Sequence, residues 1–244
     1  MTEAPTIFIT GATDGLGRAL ADRLAADGAS LILHGRDAGK LESTAAEIAA
    51  ADGVDHPRTV RADLADLAQV RKLASDVRDA TGRLDVFVSN AGIGSGMPDG
   101  RERRTSADGY ELRFAVNYLA GFLLTLELLP LLRRSAPARI VNVASLGQHP
   151  IDFSDIMITR DYSGVRAYGQ SKLAQIMSGF ELAGRVPGHL HAHEDGARGD
   201  RPPHRQHRHR GHRDAPAGQR PGPGRGHRPV LRPHPRGQGR RAGL

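Results

Sequence analysis

Tyr168 and Lys172, four residues apart in Y-G-Q-S-K, form the sharpest chemical signal in the sequence. Helical i,i+4 spacing puts them on one face, one turn apart. An ammonium beside a phenol favours the phenolate and brings a group of intrinsic pKa near ~10 toward working pH. Tyr168 is thereby a usable general acid/base. With 4 Tyr and 3 Lys in 244 residues, chance supplies such a pair about once in twenty sequences of this composition. A second signal is the turn T-G-A-T-D-G-L-G at 10–17. Gly11, Gly15 and Gly17, with Thr13, Asp14 and Leu16 between and beside them, permit tight turning and close backbone approach to a pyrophosphate at a helix amino terminus. A plain Gly-rich βα turn reads the same in isolation; position after the first strand and at the start of the first helix favours the phosphate reading. The second strand ends His34-Gly35-Arg36-Asp37. An acid at this point reads a ribose 2′-hydroxyl, whereas an Arg accommodates a 2′-phosphate. Arg36 points to NADP and Asp37 to a helix cap; a solvated Arg36 is the alternative, and NAD stays open as the cofactor.

These residues need a scaffold, and the pattern around them supplies one. Short β-branched or aromatic runs at 6–10, 31–33, 58–61, 84–89 and 139–143 read as strands. Helical spacing covers 16–27, 40–50, 66–81, a long stretch at 107–134, and 166–183. Five alternations predict an α/β fold, a doubly wound parallel sheet of Rossmann type with helices on both faces. Ligands then bind beyond the strand carboxyl ends at the switch point.

With no Cys in the chain, disulfide scaffolds, thiolate metal sites and cysteine nucleophiles are excluded. The start has no basic and apolar leader pattern. The apolar run 119–132 is interrupted by Glu127 and Pro130 and reads as too short to span a bilayer. No membrane and a cytoplasmic location are the expectation. The net charge of +7 is unevenly spread. Residues 187–244 hold 13 Arg, no Lys and 4 acids, so residues 1–186 are slightly acidic.

The motifs together resemble the short-chain dehydrogenase/reductase family over about residues 5–186. The matches are the glycine turn at 10–17, Asp63-Leu64 after the third strand, Asn90-Ala91-Gly92, Asn117, Ser145 after I-V-N-V-A, and Y-G-Q-S-K. The resemblance implies that Asp63 and Leu64 border the adenine and that Asn90 steadies the sheet beside the cofactor. It implies that Ser145 bonds the substrate oxygen, Tyr168 transfers the proton, Lys172 binds the nicotinamide ribose, and Asn117 holds a water in the proton relay. The 23-residue separation of Ser145 and Tyr168, with V-N-Y-L-A-G-F-L-L-T at 116–125, is similar to the retinol-dehydrogenase-like branch. The insert 147–165 should lie over a small carbonyl or alcohol substrate. Family members often pair through the helices matching 107–134 and 166–183, so a homo-oligomer is an expectation by analogy.

Residues 1–186 read as an incomplete dinucleotide-binding domain and 187–244 as a disordered tail. Gly, Pro, Arg and His fill 42 of those 58 positions, too few apolar groups to offset ordering entropy. The family's sixth and seventh strands are missing from this stretch, which predicts an unpaired edge beside the fifth strand, poor folding and weak activity. Three readings compete. A one-base slip in GC-rich DNA lets residues 199–206 encode V-T-A-L-H-T-G-N and 227–232 encode T-G-R-Y-F-D, which resemble the absent strands. An Arg-rich arm could bind nucleic acid, making a non-catalytic nucleotide- or nucleic-acid-binding protein the alternative function, though aromatic stacking residues are lacking. His-rich stretches could capture a metal, but no second shell is evident. The frame slip is preferred, nucleic acid is an unlikely partner, and no metal is expected in the folded part.

Overall fold

The computed structural model describes residues 4–96, 100–186 and the backbone of 190–193. Strand and helix alternate as β1 (Thr6–Ile9), α1 (Gly15–Ala26), β2 (Ser30–Gly35), α2 (Ala38–Ala49), β3 (Arg58–Arg61), α3 (Leu67–Ala80) and β4 (Val86–Ser89). Then come α4 (Leu112–Phe114), a π-helical segment (Ala115–Leu119), α5 (Ala120–Arg134), β5 (Ala138–Asn142), α6 (Gly164–Arg185) and β6 (Leu190–His193). The strands pair in parallel in the order β3-β2-β1-β4-β5-β6. Successive strands leave β1 in one direction and β4 in the other, so the switch point lies between β1 and β4. The sheet is doubly wound, as its alternating pattern predicted.

Strand period two splits the core between the faces. Ile7 and Ile9 of β1 join Leu31 and Leu33 of β2 against Ala21, Ala25, Leu41 and Ile48 of α1 and α2. Phe8, between them, faces the other way, stacks on Phe87 at 5.3 Å, and joins the α3 and α5 leucines and valines. Aspartates start three of the helices: Asp14, Asp37 and Asp66 each accept a first-turn backbone N–H, which satisfies donors the helix itself cannot. Ser163 does the same for α6.

Three expectations need correction. The helix read over 107–134 begins only at Leu112, because Gly109 adopts φ +83 in a turn closed by Ser106 N–H to the Tyr110 carbonyl at 2.8 Å. Its first full turn is π-helical rather than α. The apolar run 119–132 is also part of a longer element than expected: Leu112–Arg134, continuous through the π segment, is 23 residues and is long and apolar enough to cross a membrane by length and composition. Its Leu124, Leu128, Leu131 and Leu132 are nevertheless buried in the core. Finally, the β5 edge is not bare, since β6 pairs along it with Ala138 opposite Leu190 and Val141 opposite His193. Main-chain pairing needs free edge N–H and C=O groups, not apolar composition, so an Arg- and His-rich stretch still supplied a strand. The rest of 187–244, with the expected disorder, the nucleic-acid arm and the metal-binding histidines, lies outside the described residues.

Candidate functional site

At the switch point the backbone itself is the building material. Gly11, at φ +66, sits so near the end of β4 that an added Cβ would lie 2.9 Å from the Ala91 Cα. A Cβ on Gly17 would collide with the Gly11 carbonyl oxygen and the Asn90 amide. Only glycine tolerates that first conformation without strain. Asn90 fastens the two loops, donating from Nδ2 to the Thr10 carbonyl at 2.9 Å and to the Gly11 carbonyl at 3.1 Å. Thr10 Oγ1 in return accepts from the backbone N–H of Asn90 and of Ala91 at 3.0 and 3.1 Å.

His34 performs a similar task that its place at a strand end did not announce. The buried ring accepts from Gly11 N–H at Nδ1, 3.2 Å, and meets the Ala62 carbonyl from Nε2 at 3.1 Å. These partners fix the proton on Nε2. Burial pulls the ring's pKa down to about 4, opposed by the Ala62 carbonyl and the Asp63 charge. The imidazole therefore stays neutral and ties the glycine turn to the end of β3.

These loops border a cleft of about 710 Å³. Its walls include Gly11, Thr13, Asp14, Leu16, Gly17, Arg36, Asp63, Leu64, Asn90, Ala91 and Gly92, together with His34. Gly15, at φ +53, lies just outside that lining and donates its N–H to Asp14 at 2.7 Å. Arg36 is exposed, while the Asp37 carboxylate caps α2 through Lys40 N–H at 2.9 Å. Asp63 accepts from Ala65 N–H at 2.9 Å, and Leu64 is buried.

Tyr168 and Lys172 lie on α6, beyond this lining, and Gly92 joins the two regions. A Cβ on Gly92 would stand 3.3 Å from Asn117 Oδ1 and 3.7 Å from Lys172 Nζ. The ammonium, buried, donates to the Val143 carbonyl at 2.7 Å and to Gln175 Oε1 at 3.3 Å. It lies 6.0 Å from the Tyr168 ring centroid, and burial pulls its pKa down to about 8. Asn117, on the π segment, spends both amide hydrogens on the Ile93 carbonyl and Ser171 Oγ and accepts from Ile93 N–H. Ser171 donates onward to the Tyr168 carbonyl at 2.7 Å. Ser145 accepts from Gly147 N–H at 3.0 Å. A Cβ on Gly147 would contact both Ser145 Oγ and the Tyr168 ring at 3.5 Å. His34, Ser171 and Gln175 were missed by sequence reasoning; Gln175 alone carried a signal, one turn past Lys172 on the same face.

The insert before α6 is pinned rather than loose. Gln170, fully buried, accepts from Asp152 N–H at 3.0 Å, and Arg166 pairs with the Asp152 carboxylate at 2.8 Å. Tyr162 donates to Glu111 at 2.9 Å and accepts from Arg113 at 2.6 Å. Arg113 also donates to the carbonyls of Gly94 and Ser95, both at 3.0 Å. Glu111 and Arg113 have no exposed surface, so this charged pair is desolvated and held by hydrogen bonds on every side. Burial, reinforced by Glu111, pushes the Tyr162 phenol up to about 12. Leu146, Phe153 and Val165 are exposed apolar groups of this region.

A parallel sheet whose switch-point cleft is walled by a glycine turn, with a buried lysine and a tyrosine beyond it, defines a doubly wound α/β protein of Rossmann type. The short chain dehydrogenase family model matches residues 5–178, and the chain belongs to that family. Human retinol dehydrogenase 13 is 39 % identical over 186 residues, which is 75 % of this chain and 55 % of that one. The chain thus spans little more than half the length of this relative. A metagenomic short-chain oxidoreductase solved with NADP superposes at a TM-score of 0.62 with 27 % identity, covering 77 % of this chain and 78 % of that one. A Burkholderia phymatum short-chain dehydrogenase/reductase solved with NAD gives 0.62 and 28 %, over 78 % and 64 % of the two chains.

Proposed function

We propose that the protein is an NADP-preferring oxidoreductase acting on a small carbonyl or alcohol, with Tyr168 moving the proton. The observation that carries this reading is the position of Lys172, between the cleft wall at Gly92 and the Tyr168 ring. A nicotinamide dinucleotide fits the cleft: the glycine turn offers backbone at a helix amino terminus to a diphosphate, and Leu16, 63 % exposed, offers an apolar contact. Bound there, the cofactor would supply or accept the hydride.

The chain's own groups do the rest. Tyr168 hands its phenolic proton to a forming alkoxide, or takes one from an alcohol. Lys172 supplies the positive charge that a developing phenolate needs. Ser145 holds the substrate oxygen beside the ring. Asn117, on the π segment, holds the Ile93 backbone and bonds Ser171 of α6, and Arg113 of α4 holds the Gly94 carbonyl, so that this wall does not shift. For the cofactor, Arg36 is exposed at the end of β2 and in no ion pair among the described residues, whereas Asp37 is engaged in capping, which favours a 2′-phosphate over a bare ribose. Relatives solved with NADP and with NAD leave both cofactors represented in the family.

The test is Tyr168→Phe in the full chain, followed by NADPH fluorescence and by reduction of an aromatic aldehyde panel. Binding should stay within about twofold while turnover falls by at least ~10²-fold. Retained turnover in the variant, or no dinucleotide binding by the parent, overturns the reading.

A further inference from the structure

Lys172 is a buried cation held by neutral groups. An ammonium has three N–H donors and no acceptor. The Val143 carbonyl takes one donor at 2.7 Å and Gln175 Oε1 a second at 3.3 Å. Burial alone acts on the ionisation of Lys172, with no neighbouring carboxylate to offset it. Its remaining neighbours carry no charge. A Cβ on Gly92 would stand 3.7 Å from Nζ and 3.3 Å from Asn117 Oδ1. Tyr168, the titratable group that faces it, is on the same helix with its ring centroid 6.0 Å away. A charge so placed depends on each hydrogen bond it makes.

Gln175 is well placed to supply one. It follows Lys172 by three residues in α6, where helical side chains lean back over the preceding turn, and it is 4 % exposed. Because the ammonium can only donate, the Gln175 atom facing it is the carboxamide oxygen. The same residue lines a small polar pocket with Ser89 and Asn142, the last residues of β4 and β5. We propose that Gln175 is a positioning residue: with the Val143 carbonyl it takes the place of a counter-ion, keeps the Lys172 side chain ionised, and leaves one N–H for the side of Gly92 and Tyr168. Its effect on turnover rests on the proposed function; its hold on the ammonium does not.

The chain has only three lysines, and Lys40 and Lys72 are exposed, so NMR titration of the full chain with isotope-labelled lysine follows Lys172 against two internal references. Gln175→Met keeps the bulk and removes the acceptor. It should lower the Lys172 midpoint by about one pH unit, because the charged form loses a hydrogen bond. Gln175→Glu puts a carboxylate in the same place and should raise the midpoint. The alkaline limb of kcat/KM should move in the same two directions. From a parent midpoint of about 8, Gln175→Met should lose about twofold at pH 7 and about fivefold at pH 8. A Lys172 midpoint unchanged in both variants overturns the proposal, and so does a shift of the same sign in both, which marks altered packing. If Gln175→Met does not fold, Gln175→Glu decides alone: a raised midpoint upholds the proposal and an unraised one overturns it. A parent that binds no dinucleotide overturns the proposed function, while opposite shifts of the midpoint would still uphold the hold of Gln175 on the ammonium.

Discussion

Asn117 and Ser171 meet across 54 residues of sequence in a hydrogen bond of 3.0 Å. The bond clamps the π segment to α6 one residue away from Lys172. Because the same carboxamide also holds both backbone groups of Ile93, Asn117→Ala leaves those two half-buried groups without this partner, while Ser171 keeps its bond to the Tyr168 carbonyl. Leaving a buried group unpaired costs about 1–3 kcal/mol each. Urea unfolding should therefore show a loss of at least ~2 kcal/mol. Ser171→Ala, which removes one partner and keeps the Ile93 bonds, should lose less.

His34 makes stability depend on mildly acidic pH. The unfolded ring takes a proton near 6.5 and the folded ring only at about 4. Between those values the unfolded chain binds more protons, so the fold weakens as pH falls through this window and the loss levels off below it. The slope from this group is about 1.4 kcal/mol per pH unit. Denaturation midpoints measured between pH 7 and pH 4.5 should fall more steeply for the parent than for His34→Gln. Parallel curves would show that His34 does not set the slope.

The Lys172 ammonium should govern an alkaline limb. Burial lowers its pKa from 10.5 to about 8, so in free enzyme the charge beside Tyr168 is lost as pH rises past that point. kcat/KM, which reports free-enzyme ionisations, should fall above pH ~8. The linkage runs the other way for stability: the penalty for burying the charge is present below about 8 and relieved between there and 10.5. Activity falling while this contribution to stability rises separates ionisation from unfolding. A Lys172→Arg profile that keeps the same alkaline limb would contradict the assignment.

The buried Glu111–Arg113–Tyr162 network predicts strong asymmetry between its variants. Arg113→Met leaves Glu111 buried without its cation and should cost about 3–5 kcal/mol. Tyr162→Phe removes one hydroxyl and should cost about 1–3 kcal/mol. Both are read by chemical denaturation of the full chain, and equal effects would mean that water reaches Glu111.

The tail offers a test of a different kind. Sequencing the DNA that encodes residues 180–244 should reveal a one-base slip whose repair restores V-T-A-L-H and R-Y-F segments. An intact frame would make the Arg-rich stretch a real part of the polypeptide.

How much of this was written in the sequence depended on whether a residue's task was local. Strand and helix order, the Asp37 cap and the glycine turn follow from neighbours in the chain, and they were legible. Tyr168 and Lys172 were legible because one helical turn relates them. His34 was not, because its two partners come from other strands and its burial is a product of the sheet. Glu111 and Arg113, two residues apart near a helix start, look like a solvated pair until the fold brings Tyr162 and the 94–95 carbonyls onto them. The start of α4 was misplaced because the bend at Gly109 interrupts a stretch whose apolar spacing runs on. β6 was missed because a strand added to a free edge needs only a backbone.

Gly169 follows Tyr168 on α6, and a Cβ there would meet the insert at His149 Cβ, 2.7 Å, and His149 N, 2.9 Å. The insert thus rests directly on the helix that carries the tyrosine, with no side chain as a spacer. Leu146 and Phe153, both exposed, can be exchanged without altering that contact. Residue 169 cannot be enlarged in place, since even one methyl group would push the insert off the helix.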